Sequence, residues 1–342
     1  MQKISIIDKK IECGVWQMEK RFSIRTDLAI ESCELGKNNT EIEGVKISTQ
    51  KFKQIQVTNV EIIDEAGEKN LGKPKGNYIT IESAQLRKNN DYKDKIIKIL
   101  ADNISKLIAH VKRDNVLVIG LGNWKITADA LGPKVISKIL VTRHIKNFLA
   151  DKLKKSLCSV SAISPGVLGI TGLETFEVVK GICDKTNPDI IFVIDSLAAR
   201  NSSRINSTIQ ISNTGIIPGA GIGNKRIALD KKNLGCDVIS IGVPTVIDAA
   251  TLINDTMDKI LEAISYHQKL QNNFFIALND IDSNEKYELI KNILDPYNEN
   301  MFVTPKEVDQ VIEELSNIIA NAINISLHNS IDMDDINKYI YG

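Results

Sequence analysis

Apolar and polar positions along the chain fall into successive regimes. Up to about residue 22 no period is sustained and the stretch ends in charge at Glu19 to Arg21, as in a tail or detachable arm. Between Glu43 and Glu82 short alternating segments predict strands at Val45 to Ser48, Gln54 to Ile63 and Tyr78 to Ile81, punctuated by Gly67, Gly72 and Gly76. This reads as a small antiparallel β element. Ile96, Ile97, Leu100, Ile104, Leu107, Ile108 and Val111 then follow the helical period, predicting a helix over Tyr92 to Lys112.

From residue 115 apolar strands alternate with helical patterns. Strands are predicted at Val116 to Gly120, Val160 to Ile163, Ile190 to Asp195, Thr208 to Ile211 and Val238 to Val243. The intervening helices fall at Ala128 to Val141, Glu174 to Asp184 and Val246 to Ile264. Strands this uniformly apolar are buried on both faces, so the expected fold class is α/β, a three-layer α/β/α sandwich with a mainly parallel sheet. The polar stretch with Asp280, Asp282, Asn284 and Glu285 reads as a surface connection. Pro305 to Leu327 reads as a final helix with Thr304 as N-cap and Pro305 at its first position. The expected organisation is an arm over 1–27 and one domain over 28–342, divided into a β-rich subregion (28–90), an α/β core (91–270) and a helical C-terminal region (271–342).

Composition narrows the class. With 342 residues, 43% hydrophobic and 25% charged, the chain can bury a large core, and its apolar runs are too short to span a bilayer. Basic and acidic residues balance at 43 each, so no global field would hold the chain on nucleic acid or an anionic membrane. Cys13, Cys33, Cys158, Cys183 and Cys236 are scattered without CxxC spacing, which indicates neither a disulfide framework nor zinc and suits a reducing cytoplasm. Asp8, Lys9 and Lys10 fall where a signal peptide would need an apolar run.

Candidate chemistry collects after the strand ends. Val116 to Asn123 is a buried strand entering a glycine turn, but Lys125 stands where a dinucleotide fingerprint needs its third glycine. Gly120 and Gly122 then make either a tight turn or a ligand loop. Asp129 follows in the first turn of the next predicted helix, as a dipole partner or a site residue. Asp195 closes an apolar strand, where it is either an N-cap for a helix from Ser196 or a carboxylate in the crevice beyond the sheet. Two carboxylates in one crevice can share a proton or a metal ion, and either device activates water. The loop Asn213 to Arg226 lacks the Lys that a phosphate loop needs after Gly223. Its glycines and the cations Lys225 and Arg226 form either a flap that meets acidic substrate groups or an ordinary surface loop. No Ser or Cys nucleophile has a motif around it.

These residues resemble a known family. Arg25 to Glu31, Gly120 to Asn123 with Asp129 to Pro133, Thr142 to His144, Pro165 to Val167, Thr171-Gly172, Ile194 to Arg200, Thr208 to Ser212, Gly221 to Arg226, Gly242 to Thr245 and Val303 to Val308 are similar in order and spacing to the spore germination proteases. The match runs from about residue 22 to near the end of the chain. Two departures are visible. Ile217 replaces an expected histidine, and the region between about Ile264 and Asn298 is short.

The resemblance implies a fold similar to hydrogenase maturation peptidases. It also implies a cytoplasmic endopeptidase of the forespore and spore core that degrades small acid-soluble spore proteins, the DNA-coating proteins of dormant spores. Its essential aspartates fall on Asp129 and Asp195, with one as base on water and the other, protonated, supporting the carbonyl oxygen. Asn123, Gly221, Gly223, Lys225 and Arg226 are the candidate substrate contacts. No cofactor is implied, and neither nucleic acid nor membrane is an expected partner. A homo-oligomer, a tetramer, is implied, and so is a zymogen. Family substrates are cut between an acidic and a large apolar residue followed by Ala, with a further acidic residue downstream. Asp27, Leu28, Ala29 and Glu31 copy that pattern, so residues 1–27 are expected to be a propeptide cut between Asp27 and Leu28. A metal-dependent peptidase using the same two aspartates, and a non-catalytic carrier of spore proteins, remain open.

Overall fold

Residues 26–35, 42–87, 92–148, 157–219, 226–265, 283–294 and 301–328 are described by the computed structural model. The strands are β1 (Val45–Phe52), β2 (Ile55–Ile62), β3 (Gly76–Glu82), β4 (Asn115–Gly120), β5 (Ser159–Ile163), β6 (Ile190–Ala199), β7 (Thr208–Ser212), β8 (Asp237–Asp248) and β9 (Phe302–Val303). They join in one sheet ordered β1-β2-β3-β7-β8-β6-β4-β5, with β9 on β8. The core strands β8, β6, β4 and β5 are parallel, whereas β1, β2, β3 and β7 pair antiparallel and carry the sheet onto β8. Among the described residues, the helices of six residues or more are α1 (Ala29–Leu35), α2 (Glu65–Leu71), α3 (Lys93–Leu107), α4 (Leu131–Ile136), α5 (Thr175–Thr186), α6 (Ala249–Ser265), α7 (Ser283–Leu294) and α8 (Val308–Leu327), and single helical turns lie at Leu168–Thr171 and Lys231–Leu234.

Alternation along the parallel strands divides their side chains between two cores. Val116, Val118, Ile190, Phe192 and Ile194 pack on one face against Leu100 and Ile104 of α3, Leu131 and Val135 of α4, and Ile312 and Leu315 of α8. Leu117, Ile119, Ile191 and Val193 pack on the other against Val179 and Cys183 of α5. Each such side chain, fully withdrawn from water, contributes about 1.5–3 kcal/mol. Helices on both faces of a sheet with parallel core strands make the expected α/β/α class. The antiparallel element is part of that same sheet, because β3 pairs with β7. β7 is antiparallel to both neighbours rather than one more parallel strand.

Other boundaries differ for identifiable reasons. β6 does not end at Asp195, and no helix starts at Ser196: β8 runs alongside and keeps β6 paired through Ala199, past a bulge at Leu197/Ala198. Because β8 extends to Asp248, α6 begins at Ala249 rather than Val246. The expected helix from Ala128 to Val141 shrinks to a 3-10 turn at Thr127–Asp129 followed by α4. Asn324 of α8 takes over beyond α4, accepting the Leu140 N–H at 3.0 Å and donating to the Lys138 carbonyl at 3.2 Å. Thr304 does not cap α8, which begins at Val308; its hydroxyl donates to the Thr245 carbonyl on β8 at 2.8 Å. Asn284 and Glu285 lie in α7 rather than in a connection, while Asp280 and Asp282 fall outside the described residues.

The end of β4 and the start of α4 meet backbone to backbone. A Cβ on Gly132 would sit 2.2 Å from the Leu121 carbonyl oxygen, and one on Gly120 would sit 2.3 Å from that of Gly132. Gly132→Ala is therefore expected to destabilise the protein by about 1–3 kcal/mol. Gly181→Ala, inside α5 with open space around it, is expected to be neutral or stabilising by up to about 1 kcal/mol. Thermal and urea unfolding of the two variants measures the contrast; equal stability would show that the β4–α4 contact yields freely.

Candidate active site

The loop after β4 folds back on itself to present Asp129. The Leu121 N–H donates to the Ile194 carbonyl at 2.8 Å, the Asn123 N–H to the Asp129 carbonyl at 3.0 Å, and the Asp129 N–H to the Ile126 carbonyl at 2.8 Å. Gly122 makes this possible: its φ is +111°, and a Cβ there would lie 2.0 Å from the Asp129 carbonyl oxygen and 3.0 Å from Oδ1. Thr245 of β8 fixes the loop from below by donating to the Ala128 carbonyl at 2.6 Å.

Asp195 sits inside β6, one residue beyond the point where β4 stops, since Gly120 is paired with Ile194. Its carboxylate is buried and accepts the Ser196 N–H at 2.8 Å. Burial first, then the Asp129 and Asp27 carboxylates, hold its pKa well above the ordinary carboxylate range, against the opposing Ser196 N–H and Arg226. Burial likewise pushes Asp129 up to about 6, against the Asn123 N–H and Arg226. The two aspartates, Asp27, Lys73, Gln210 and Arg226 line one cavity of about 1160 Å³.

The segment before α1 lies along the free edge of β6. The Asp27 N–H donates to the Ala198 carbonyl at 3.3 Å, and Asp27 Oδ2 accepts the Ala198 N–H at 2.8 Å. Burial raises the Asp27 carboxyl, while that N–H and Lys73 oppose the rise. Leu28 is fully buried against Ile30, Leu197 and Ile216. Glu31 accepts the Arg200 N–H at 2.8 Å and the Asn201 N–H at 2.9 Å, and Arg204 lies 3.5 Å from it while also holding Glu34 and Glu82.

The remaining expected contacts divide. Arg226 lines the cavity, with its Nε 4.0 Å from Glu174. The Asn123 side chain serves its own loop, its Oδ1 accepting the Lys125 N–H at 3.0 Å. Gly221, Gly223 and Lys225 lie outside the described residues. Gln210 lies in the family-like stretch Thr208 to Ser212 but stands out there only as an amide between two isoleucines, Arg204 has no local motif, and Lys73 in Gly72-Lys73-Pro74 reads as loop punctuation. Among the described residues no three His, Cys, Asp or Glu side chains gather as a metal-ligand set, and no helix is long and apolar enough to cross a membrane.

A family model described as germination protease matches residues 25–276 and 264–340. A germination protease of Clostridium acetobutylicum is 47% identical over 93% of this chain and 99% of its own length. The chain belongs to the germination protease family. A Bacillus cereus member is 40% identical over 94% of this chain and 98% of its own. Among solved structures, a [NiFe] hydrogenase maturation protease HycI from Thermococcus kodakarensis aligns with 65% of this chain and 98% of its own, at 13% identity. The TM-score of that alignment is 0.30. The chain is thus a peptidase of germination, as the sequence motifs implied.

The raised Asp129 pKa sets a dependence of protease stability on pH. The folded protein keeps this proton where the unfolded chain, near 3.8, has lost it. Its contribution is therefore complete below about 3.8 and lost as pH rises through about 6. Asp129→Asn is expected to melt with the parent at pH 4 and to be more stable at pH 7 by on the order of 1 kcal/mol. Thermal melts across that range check it; a variant weaker than the parent at pH 7 would contradict the buried-carboxyl assignment.

Proposed function

We propose that this germination protease begins the breakdown of small acid-soluble spore proteins, that it is made as a zymogen cut between Asp27 and Leu28, and that Asp129 and Asp195 activate the attacking water. The observation carrying the reading is that Asp27, the residue before the proposed cut, lines the same cavity as both carboxylates. The segment also satisfies the acidic, large apolar, Ala and downstream acidic pattern of family substrates, with Glu31 taking two backbone N–H groups at the end of β6. Residues 1–27 are then the propeptide; those up to 25 lie outside the described residues.

The electrostatics support a division of labour. Burial and its acidic neighbours raise the Asp195 pKa well above the ordinary range, while Asp129 rises to about 6, so we assign the shared proton to Asp195 and the base to Asp129. Asp129 therefore takes a proton from water as it attacks the carbonyl carbon, and Asp195 supplies one, as environments that push two carboxyl pKa values apart allow. The pair titrates as a unit, so the pH–rate profile reports the pair. The scheme draws acid and base from the chain itself and calls for no metal.

Asp129→Asn and Asp195→Asn are each expected to lower cleavage by about 10⁴-fold or more, with the double variant little worse than either. Mass spectrometry of the full chain under activating conditions should find a new N-terminus at Leu28 in the parent and none in Asp195→Asn. An active enzyme still beginning at Met1 would rule out the zymogen. Turnover retained in either variant, with only about 0.5–2 kcal/mol of stability lost, would reassign that residue to a cap or dipole role. Chelation with EDTA is expected to leave the rate unchanged; a loss restored by a divalent cation would make the aspartates metal ligands.

A further inference from the structure

The peptide between Asp27 and Leu28 is held on all sides. The Leu28 N–H donates to Thr26 Oγ1 at 3.1 Å, and the Ala29 N–H to Gln210 Oε1 at 2.7 Å. The Asp27 carbonyl oxygen accepts two side-chain donors, Lys73 Nζ at 3.1 Å and Gln210 Nε2 at 3.1 Å. A carbonyl beside a strand edge is ordinarily satisfied by backbone N–H groups. Here one donor is a lysine, and Gln210 spans the bond by donating on one side of it and accepting on the other.

Lys73 is otherwise poorly accounted for. No ion pair within 4.0 Å joins it to a carboxylate among the described residues, and burial lowers its pKa against the pull of Asp27 and Glu31. A neutral carbonyl makes weak use of so polar a donor. The match improves when the carbonyl carbon is attacked and the oxygen becomes an anion, the condition under which a preorganised donor accelerates a reaction.

We propose that Lys73 and Gln210 are the oxyanion donors of this protease, acting first on the Asp27–Leu28 bond and then on the corresponding carbonyl of an acidic–Leu–Ala substrate segment. The proposal rests on the paired-aspartate reading and completes its proton balance. Water forms a bond to the Asp27 carbonyl carbon and gives a proton to Asp129. The carbonyl oxygen becomes the anion held by Lys73 and Gln210. The C–N bond then breaks as Asp195 protonates the Leu28 nitrogen, and the proton on Asp129 returns the pair to its starting charge. The products are an Asp27 carboxyl group and a Leu28 amine. With two donors already on the oxygen, the Asp195 proton is free for the leaving nitrogen.

The test uses the full chain with Lys73→Met, Lys73→Arg, Gln210→Glu and Asp195→Asn in parallel. Gln210→Glu keeps an acceptor for the Ala29 N–H and removes the donor. The rate of appearance of the Leu28 terminus is followed by mass spectrometry. Hydrogen exchange at residues 26–31 reports whether the segment stays seated. Cleavage of an added Asp-Leu-Ala-containing peptide gives kcat and KM separately. Lys73→Met and Gln210→Glu are expected to slow self-cleavage by about 10²-fold or more with the segment still protected, and to lower kcat on the peptide with KM within about threefold. Lys73→Arg is expected to recover about tenfold over Lys73→Met. Self-cleavage within about threefold of the parent would overturn the proposal. So would a slow rate accompanied by lost protection or a change confined to KM, because Lys73 and Gln210 would then be latches for the segment. Failure of the underlying reading looks different: Asp195→Asn would cleave at the parent rate, or the parent would cut neither itself nor the peptide.

Discussion

The site depends on a mismatch in strand length. β4 stops at Gly120, opposite Ile194, while β6 continues to Ala199 under the support of β8. Beyond Ile194 the β4 side of β6 still carries backbone donors and acceptors that a buried strand must satisfy. Leu121 covers the first of them, and Asp27 covers those of Ala198. Between these two contacts the sheet is open, and there the Asp195 side chain lies. At the end of β4, Gly120 and Gly132 approach so closely that neither position has room for a Cβ.

That position explains the charge arrangement. An aspartate inside a strand of a two-faced sheet has little water and few backbone donors, and Asp195 has the Ser196 N–H as its hydrogen-bond donor. Asp129, on a loop held by Gly122 and Thr245, stays closer to solvent and is displaced less. Two carboxyl groups of one chemical type thus acquire different proton affinities because one is on a strand and the other on a loop. Asp27 adds a third negative group to the same cavity, so the seated segment itself raises Asp195.

The layers were legible in the sequence because they rest on short-range periodicity. Val116 to Gly120 and Ile190 to Ile194 are apolar on successive residues, and the structure distributes them between two cores. Asp195 was legible as the carboxylate that closes such a run, and Asp129 as one lying a single connection after another. The end of β6 was not, because its pairing with β8 decides it and no local signal at Ser196 does. Lys73 and Gln210 were hidden for a related reason: their contacts with Asp27 and Ala29 span 46, 183 and 181 residues of sequence. Arg204 carries no local signal, since Glu31, Glu34 and Glu82 reach it from distant parts of the sequence.

Leu28 is fully withdrawn from solvent against Leu197 and Ile216. Were the Asp27–Leu28 bond cut as proposed, the neutral amide would become an ammonium group that must find a partner or water if Leu28 is to keep its place. Its former acceptor, the Thr26 hydroxyl, would leave with the other fragment. The leucine's apolar anchorage and its new charge would then pull in opposite directions, and solvation of the freed ends would oppose the reverse step.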